Sequence, residues 1–533
     1  MKITYISASE WLYPDVREYA TQGDRFTIHG PRGGYAAIQA MAEGVTKGAR
    51  ITVEAALGLD GLECYQMIDV LCSYNTGEYM YPFALPQGTD TSAWTTRLTP
   101  FRAYDCLQPF SRGGDIARAE TVALYFCFPL DAEMEPGVYG GEVTIKIGGE
   151  KSSSPCEVVV HKAVAPPETN LMISNWINAK NIEKYYDAPY LGDKWFEQFG
   201  RLAALMRRAR STHIGIPLNS VGITEKDGKY AFDFTIAEKL IRFSLKMGFQ
   251  VLALGHLCWK DYNKNDIYYL FHAREKPVPA DSPEGYRFLS QFLPAWTAFL
   301  KEHGFYDKAV QQVGDEPNSQ MCDNYRIICG VVRKFMPGMK LMDAISDLSN
   351  RGASDYWVVL NCEYQENREI YEEFRATGDI IWQYTACGPG GKWLNRMIDI
   401  ELLRPRLLHW GNYRFKLEGY LHWGFNFWQP DQPDIYEYSN SVINDGTTLL
   451  PPGDTHICYP GDKRGPWMSI RAEQMRMGAE DCELLYWIAQ RDRALADDLC
   501  AGAFTSFNDY VADPAAFERN YVRLLEAADG LYL

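Results

Sequence analysis

Between residues 171 and 428, eight short apolar runs alternate with longer segments, several of them amphipathic, and no other feature restricts the fold as strongly. The runs are Leu171–Asn178, His213–Leu218, Gln250–Leu257, Ala309–Asp315, Lys340–Ser346, Tyr356–Asn361, Ile380–Ala386 and Gly419–Trp428. Helical spacing of apolar residues marks Trp195–Arg210, Ile236–Met247, Glu284–His303 and Asn318–Phe335 between them, and Ser469–Arg491 after them. Parallel strands need a crossover, which a helix supplies, so the alternation predicts parallel α/β architecture. Eight such units over roughly 250–400 residues predict a (β/α)8 TIM barrel.

The chain before this region has a different pattern. Arg50–Ala55, Thr121–Phe128 and Gly141–Ile147 alternate or run apolar between Gly, Pro and Asp turns, which predicts a β-sandwich over residues 1–165. Pro136–Ile145 followed by Cys156–His161 reads as its closing hairpin, and Ala165–Glu168 as a short stiff linker. Residues 166–533 then form the barrel, with a long loop at 429–466 and a closing carboxyl-terminal helical part. That loop far exceeds an ordinary strand-to-helix connection, which makes it a candidate lid or pocket wall. A tolerated surface excursion is the plainer alternative.

Charge and cysteine usage exclude several classes. A net charge of −16 leaves no electrostatic footprint for nucleic acid or an anionic membrane surface. No run reaches the roughly 18 apolar residues of a membrane span, and the amino terminus lacks a continuous apolar signal region, so a soluble cytoplasmic protein is expected. The 13 cysteines are scattered without a Cys-x-x-Cys pair, which fits reduced thiols, and without clustered ligands no metal or other cofactor is expected.

The fourth run ends in Gly314-Asp315-Glu316-Pro317. Proline disfavours the helical region for the residue before it, so the two carboxylates are expected extended at the strand's carboxyl end, the end of a barrel where chemistry is done. From this stretch alone, Asp315 and Glu316 serve equally well as caps for a helix beginning near Asn318. A glycosidase normally needs a second carboxylate about 5 Å away for retention, or about 6.5–9.5 Å away for inversion. The seventh run, Ile380–Ala386, carries no acid. A neighbouring-group mechanism removes that difficulty, because the substrate's own 2-acetamido oxygen attacks the anomeric carbon. Glu316 then serves as acid and base while Asp315 orients the acetamido nitrogen, and their mutual repulsion raises the pKa of one of them. Using Glu363 or Asp347 as partner to Glu316 gives a conventional glycosidase on other hexosides, and a non-catalytic glycan-binding barrel is the third alternative.

Together with Glu418–Trp428, Gly453–Gly461 and Ser469–Asp481, the Gly-Asp-Glu-Pro stretch resembles glycoside hydrolase family 123 and its wider kin over most of residues 165–490. The resemblance implies an amino-terminal β-sandwich, a catalytic barrel and β-N-acetylgalactosaminidase activity by substrate assistance, with Asp315 and Glu316 as the catalytic pair. A carbohydrate with terminal β-linked N-acetylgalactosamine is then the expected partner. Cys482 stands where an aromatic residue is common, a departure that concerns helix packing.

Strand ends nominate the substrate-binding residues Trp176, Asn178, His256, Trp382, Tyr384, Trp423, Asn426 and Trp428. In strand eight, period-two alternation places Tyr420, His422, Asn426 and Trp428 toward the pocket and Leu421, Trp423 and Phe425 toward the helices, with Trp423 kept by the family resemblance. His256 reads more readily as a hydrogen-bonded supporting group than as a catalyst. Arg471 and Glu480, on the last helix, are expected in buried structural pairs.

Overall fold

The computed structural model describes residues 1–77, 89–111, 113–261, 264, 266–428, 434–440 and 449–532. Two five-stranded sheets build the amino-terminal part. The first runs Lys2–Ser7, Tyr35–Glu43, Thr121–Pro129, Glu63–Cys72, Phe101–Pro109, antiparallel throughout. The second runs Phe26–Arg32, Glu150–Val164, Gly137–Ile147, Arg50–Ala56, Asp115–Ile116. Its Gly137–Ile147 and Glu150–Val164 strands are the expected hairpin, and Phe26–Arg32 pairs in parallel with the latter.

Val122, Leu124, Phe126 and Phe128 of the first sheet pack against Val143, Ile145, Val158 and Val160 of the second. The alternate residues of that same strand, Ala123, Tyr125 and Cys127, belong to a different core, continuous with the helices around the barrel. A sheet covered on both faces cannot show polar alternation, which is why Thr121–Phe128 is apolar almost throughout.

The barrel closes with all eight strands in sequence order and parallel: Met172–Asn175, His213–Ile216, Val251–Leu254, Ala309–Gln311, Lys340–Ala344, Tyr356–Leu360, Ile380–Tyr384 and Gly419–His422. Its interior is filled by Ala253, Val310, Met342, Ala344, Val358, Trp382, Tyr384 and Leu421. This corrects the predicted facing of strand eight. Leu421 points inward, whereas Tyr420 lies outside the barrel, where its hydroxyl meets Thr385 Oγ1 at 2.7 Å and its ring meets the edge of His409. Gly419 fixes the register, since a Cβ there would lie 2.3 Å from the Trp382 ring. The strand also ends at His422, so its alternation does not extend to Trp428.

Helices Asp193–Arg208, Thr235–Lys246, Pro283–Glu302 and Cys322–Phe335 surround the barrel near the expected positions. The helix Arg404–Phe415, between strands seven and eight, is buried nearly all round and so shows no amphipathic stripe in the sequence. Helix Ile470–Ala489 lies between sandwich and barrel, almost wholly buried. Arg471 pairs there with Asp105 at 2.9 Å, and Glu480 with Arg476 at 2.9 Å and Arg210 at 2.9 Å, so both are structural ion pairs as expected. Residues 429–433 and 441–448 of the predicted long loop lie outside the described residues. Of the rest, Tyr436 and Ser439 bond to Leu71 near the end of strand Glu63–Cys72, and Gly453–Cys458 are buried. Among the described residues no helix is long and apolar enough to cross a membrane.

Candidate active site

Strand four ends at Gln311; Gln312 N still donates to Leu254 O at 3.1 Å, and the donors after it turn to a side chain. Val313 N and Gly314 N both donate to the Asp343 carboxylate, at 3.0 Å and 3.4 Å. The following helix begins at Cys322 and not near Asn318, so neither Asp315 nor Glu316 caps it. The pair lies in the intervening loop at the carboxyl end of the barrel.

Glu316 is not extended as predicted but has φ = +46°, the left-handed region that non-glycine residues avoid. Pro317 disfavours the right-handed helical region, and neighbouring groups select among the remaining conformations. Glu316 N donates to Ala344 O at 3.1 Å. The carbonyls of residues 315–317 are each taken by a side chain from a neighbouring segment: Asp315 O by Tyr268 Oη at 2.7 Å, Glu316 O by Lys260 Nζ at 2.7 Å and Pro317 O by Asn350 Nδ2 at 2.9 Å. Such a conformation costs about 1–3 kcal/mol and persists only where the surroundings over-determine it.

Glu316 opens onto solvent, yet its carboxyl sits among protein atoms. That lost hydration and the adjacent Asp315 charge push its pKa up, while Lys260 and the hydrogen bond from Tyr384 Oη to Glu316 Oε1, 2.9 Å, pull it part of the way back. The net effect is a carboxyl that keeps its proton to higher pH than a free glutamate, as a general acid requires. Burial lowers the proton affinity of Lys260 even though both carboxylates favour its charged form.

His256 lies 3.4 Å from Asp343, which is fully buried and also accepts from Tyr325 Oη at 2.6 Å. Burial disfavours the imidazolium, but Asp343 and Asp315 outweigh it and raise the His256 pKa. The edge of Trp176 meets the His256 ring at 5.2 Å. The structure therefore gathers Asp315, Glu316, Trp176, His256 and Tyr384 at one mouth.

Trp423 is half-buried beside Asp454, a carboxyl pushed up to about 7 by burial despite Arg396, Trp423 and Arg471. Cys387 is near both Asp454 and Glu316, which connects this corner to the pair.

The other nominated residues are structural. Trp382 is completely buried in the barrel core between His213 and Tyr356. Asn178 caps helix Ala179–Tyr186, and its backbone exchanges two hydrogen bonds with the Asn426 amide, at 2.7 Å and 3.1 Å. Trp428 donates to Cys458 O at 2.7 Å and packs on Tyr185 and Tyr186. Asn426 and Trp428 lie beyond the point where strand eight ends, which is why period-two reasoning misplaced them.

Sequence reasoning missed Lys260, Tyr268, Asp343 and Asp454. Asp343 had a signal, as an acid inside the otherwise apolar Leu341–Ala344. Lys260 and Tyr268 sit in a connection with no periodic pattern. Among the described residues no cluster of three metal-ligating side chains occurs.

Glu363 lies in the first turn of helix Asn361–Glu366. Asp347 uses both oxygens locally, Oδ1 for Ser349 N and Oγ at 2.9 Å and 2.6 Å, and Oδ2 for Ser319 N at 2.7 Å.

A closed β/α barrel with a carboxylate pair at its carboxyl end has the architecture of a glycoside hydrolase. The model of the glycoside hydrolase 123 catalytic domain matches residues 176–488, and the chain belongs to glycoside hydrolase family 123. No curated protein matches the chain in sequence. Its fold is similar to that of a family 123 glycoside hydrolase from Clostridium perfringens, a structure concerned with glycolipid glycan hydrolysis, with TM-score 0.73, 12% identity, and 99% of this chain and 97% of that chain covered. A GH10 xylanase with a bacterial Ig-like domain from termite gut matches at TM-score 0.33 and 11% identity, covering 67% of this chain and 90% of that one. A β-galactosidase from the psychrophilic Marinomonas ef1 matches at TM-score 0.36 and 9% identity, covering 62% of each.

Proposed function

We propose that this glycoside hydrolase releases terminal β-linked N-acetylgalactosamine with retention of configuration, through attack by the substrate's 2-acetamido oxygen. One observation carries the reading: the charged groups acting on Glu316 are Asp315, next to it in the chain, and Lys260, with Tyr384 donating to its carboxyl. A conventional nucleophile would stand across the sugar from the acid. Asp347, one alternative, is committed to its own turn and to Ser319 N.

In this mechanism Glu316 gives its proton to the glycosidic oxygen as the bond to the anomeric carbon breaks. The acetamido oxygen forms the new bond to that carbon, closing an oxazolinium ring, and Asp315 accepts the hydrogen bond of the acetamido nitrogen and balances its developing charge. Glu316, now ionised, takes a proton from the water that reopens the ring at the anomeric carbon. Trp176, His256, Tyr384 and Trp423 supply the aromatic and polar wall. The family 123 relative's work on glycolipid glycans makes such glycans candidate substrates here.

A set of nitrophenyl glycosides tests the proposal together with the thiazoline made from N-acetylgalactosamine, which mimics the cyclic intermediate. Cleavage confined to 2-acetamido sugars, with tight competitive inhibition by the thiazoline, is expected. Turnover of plain galactosides with a fluorosugar trapped on Glu363 or Asp347 would replace the proposal with conventional double displacement.

A further inference from the structure

After strand three the chain forms a short hairpin, Cys258–Lys260 against Tyr268–Leu270. Lys260 and Tyr268 are directly opposed in it, and directly opposed residues project from the same face of a ribbon. That face meets the loop after strand four. Tyr268 Oη donates to Asp315 O and Lys260 Nζ to Glu316 O, both at 2.7 Å, so an opposed pair grips two successive peptide carbonyls.

The hairpin is itself anchored. Cys258 N donates to Val313 O at 3.0 Å, and Tyr268 N donates to Asn324 Oδ1, on the helix after the loop, at 2.8 Å. Tyr268 is completely buried, and its ring leaves space only for glycine at position 314, where a Cβ would lie 2.5 Å from Tyr268 Cε1. The Gly-Asp-Glu-Pro motif is thus matched to a tyrosine some 46 residues earlier, counted from 268 to 314.

We propose that Lys260 and Tyr268 are positioning residues that hold the Asp315–Glu316 turn with Glu316 in its left-handed conformation, the Lys260 ammonium also serving as the fixed cation beside both carboxylates. The inference rests on Glu316 being the proton donor. Among the described residues, four groups face that carboxyl: Asp315 on its own loop, Lys260 on the hairpin, Tyr384 on strand seven and Cys387 just beyond it. Only Lys260 among these is cationic, and a nearby cation favours the carboxylate over the acid. Without it Glu316 holds its proton to higher pH.

Three variants separate the two roles, each first checked for a thermal midpoint close to that of the wild type. Tyr268→Phe removes one hydrogen bond and no charge, so kcat should fall about fivefold, with KM within about twofold and the basic limb of the pH profile unmoved. Lys260→Met should lower kcat and move the basic limb to higher pH, and Lys260→Arg should return the limb to its wild-type position. An unmoved limb in Lys260→Met would overturn the electrostatic role.

Crystal structures of Tyr268→Phe/Lys260→Met provide a readout that needs no activity. Departure of Glu316 from positive φ is expected, whereas Glu316 retained near +46° would overturn the clamp. If the wild type cleaves no hexosaminide, the functional reading fails, and this crystallographic comparison still decides whether the hairpin holds the loop.

Discussion

Replacing Glu316 with glutamine removes the transferable proton and little else. The amide has the carboxyl's shape, keeps an oxygen for the Tyr384 hydroxyl now 2.9 Å away, and leaves the Lys260 bond to the Glu316 carbonyl at 2.7 Å untouched. A well-placed general acid contributes about 10²–10⁴-fold. Glu316→Gln should therefore lose about 2.7–5.5 kcal/mol of transition-state stabilisation on glycosides with alkyl or sugar leaving groups. Dinitrophenyl glycosides depart without full protonation, so their first step should suffer much less.

The pH profile offers a second reading of the same substitution. If Glu316 is the proton donor proposed above, its reactive form is protonated; its pKa is raised by burial and by Asp315, so wild-type activity should fall as pH rises through that value. In Glu316→Gln this basic limb should vanish. Steady-state and pre-steady-state kinetics on paired natural and dinitrophenyl substrates, from pH 4 to 9, supply the measurement. Equal and small losses on both substrate types, or a basic limb that survives, would refute the assignment of Glu316 as proton donor.

Asp315→Asn should lower kcat at least about 10²-fold and weaken thiazoline binding, because an amide cannot balance the oxazolinium charge; near-normal values of both would remove Asp315 from the chemistry. Arg471→Met takes from the wholly buried Asp105 its cation, leaving it the Tyr459 hydroxyl at 2.6 Å, and frees the carbonyls of Arg396, Gly453 and His456, so urea denaturation should show about 3–5 kcal/mol lost. A loss under about 1 kcal/mol would mean that Asp105 is reached by water. Burial pushes the Glu473 carboxyl up, but Arg208 and Arg476 more than offset it and hold the group down at about 2. A depressed folded pKa gives stability that is full above the unfolded value of about 4.5 and lost as pH falls toward about 2. Melting curves should follow that slope in the wild type and flatten in Glu473→Gln, whereas parallel slopes would assign acid unfolding to other carboxylates.

The barrel was legible because its signal is distributed: all eight strands begin within one residue of the expected positions, each a short apolar run that only a parallel sheet can bury. The candidate pair Asp315–Glu316 was legible as residues but not as geometry. Pro317 narrowed the choices for Glu316, yet the decision between extended and left-handed backbone belongs to Tyr268, Lys260 and Ala344, which lie 48, 56 and 28 residues away. No local rule reaches that far. Strand eight shows the converse failure: alternation was carried past His422, where the ladder ends, and Asn426 and Trp428 were assigned to a pocket when they fasten helix Ala179–Tyr186 to the barrel top. Periodicity predicts which way a residue points only while the neighbouring strand is there to hold it. Beyond that point the chain follows its hydrogen-bond debts, and at this barrel mouth those debts are settled by buried side chains, Asp343 for the amides of Val313 and Gly314, Asn350 for Pro317, Asn426 for Asn178, none of which carries a mark in its own local sequence except the acid at position 343.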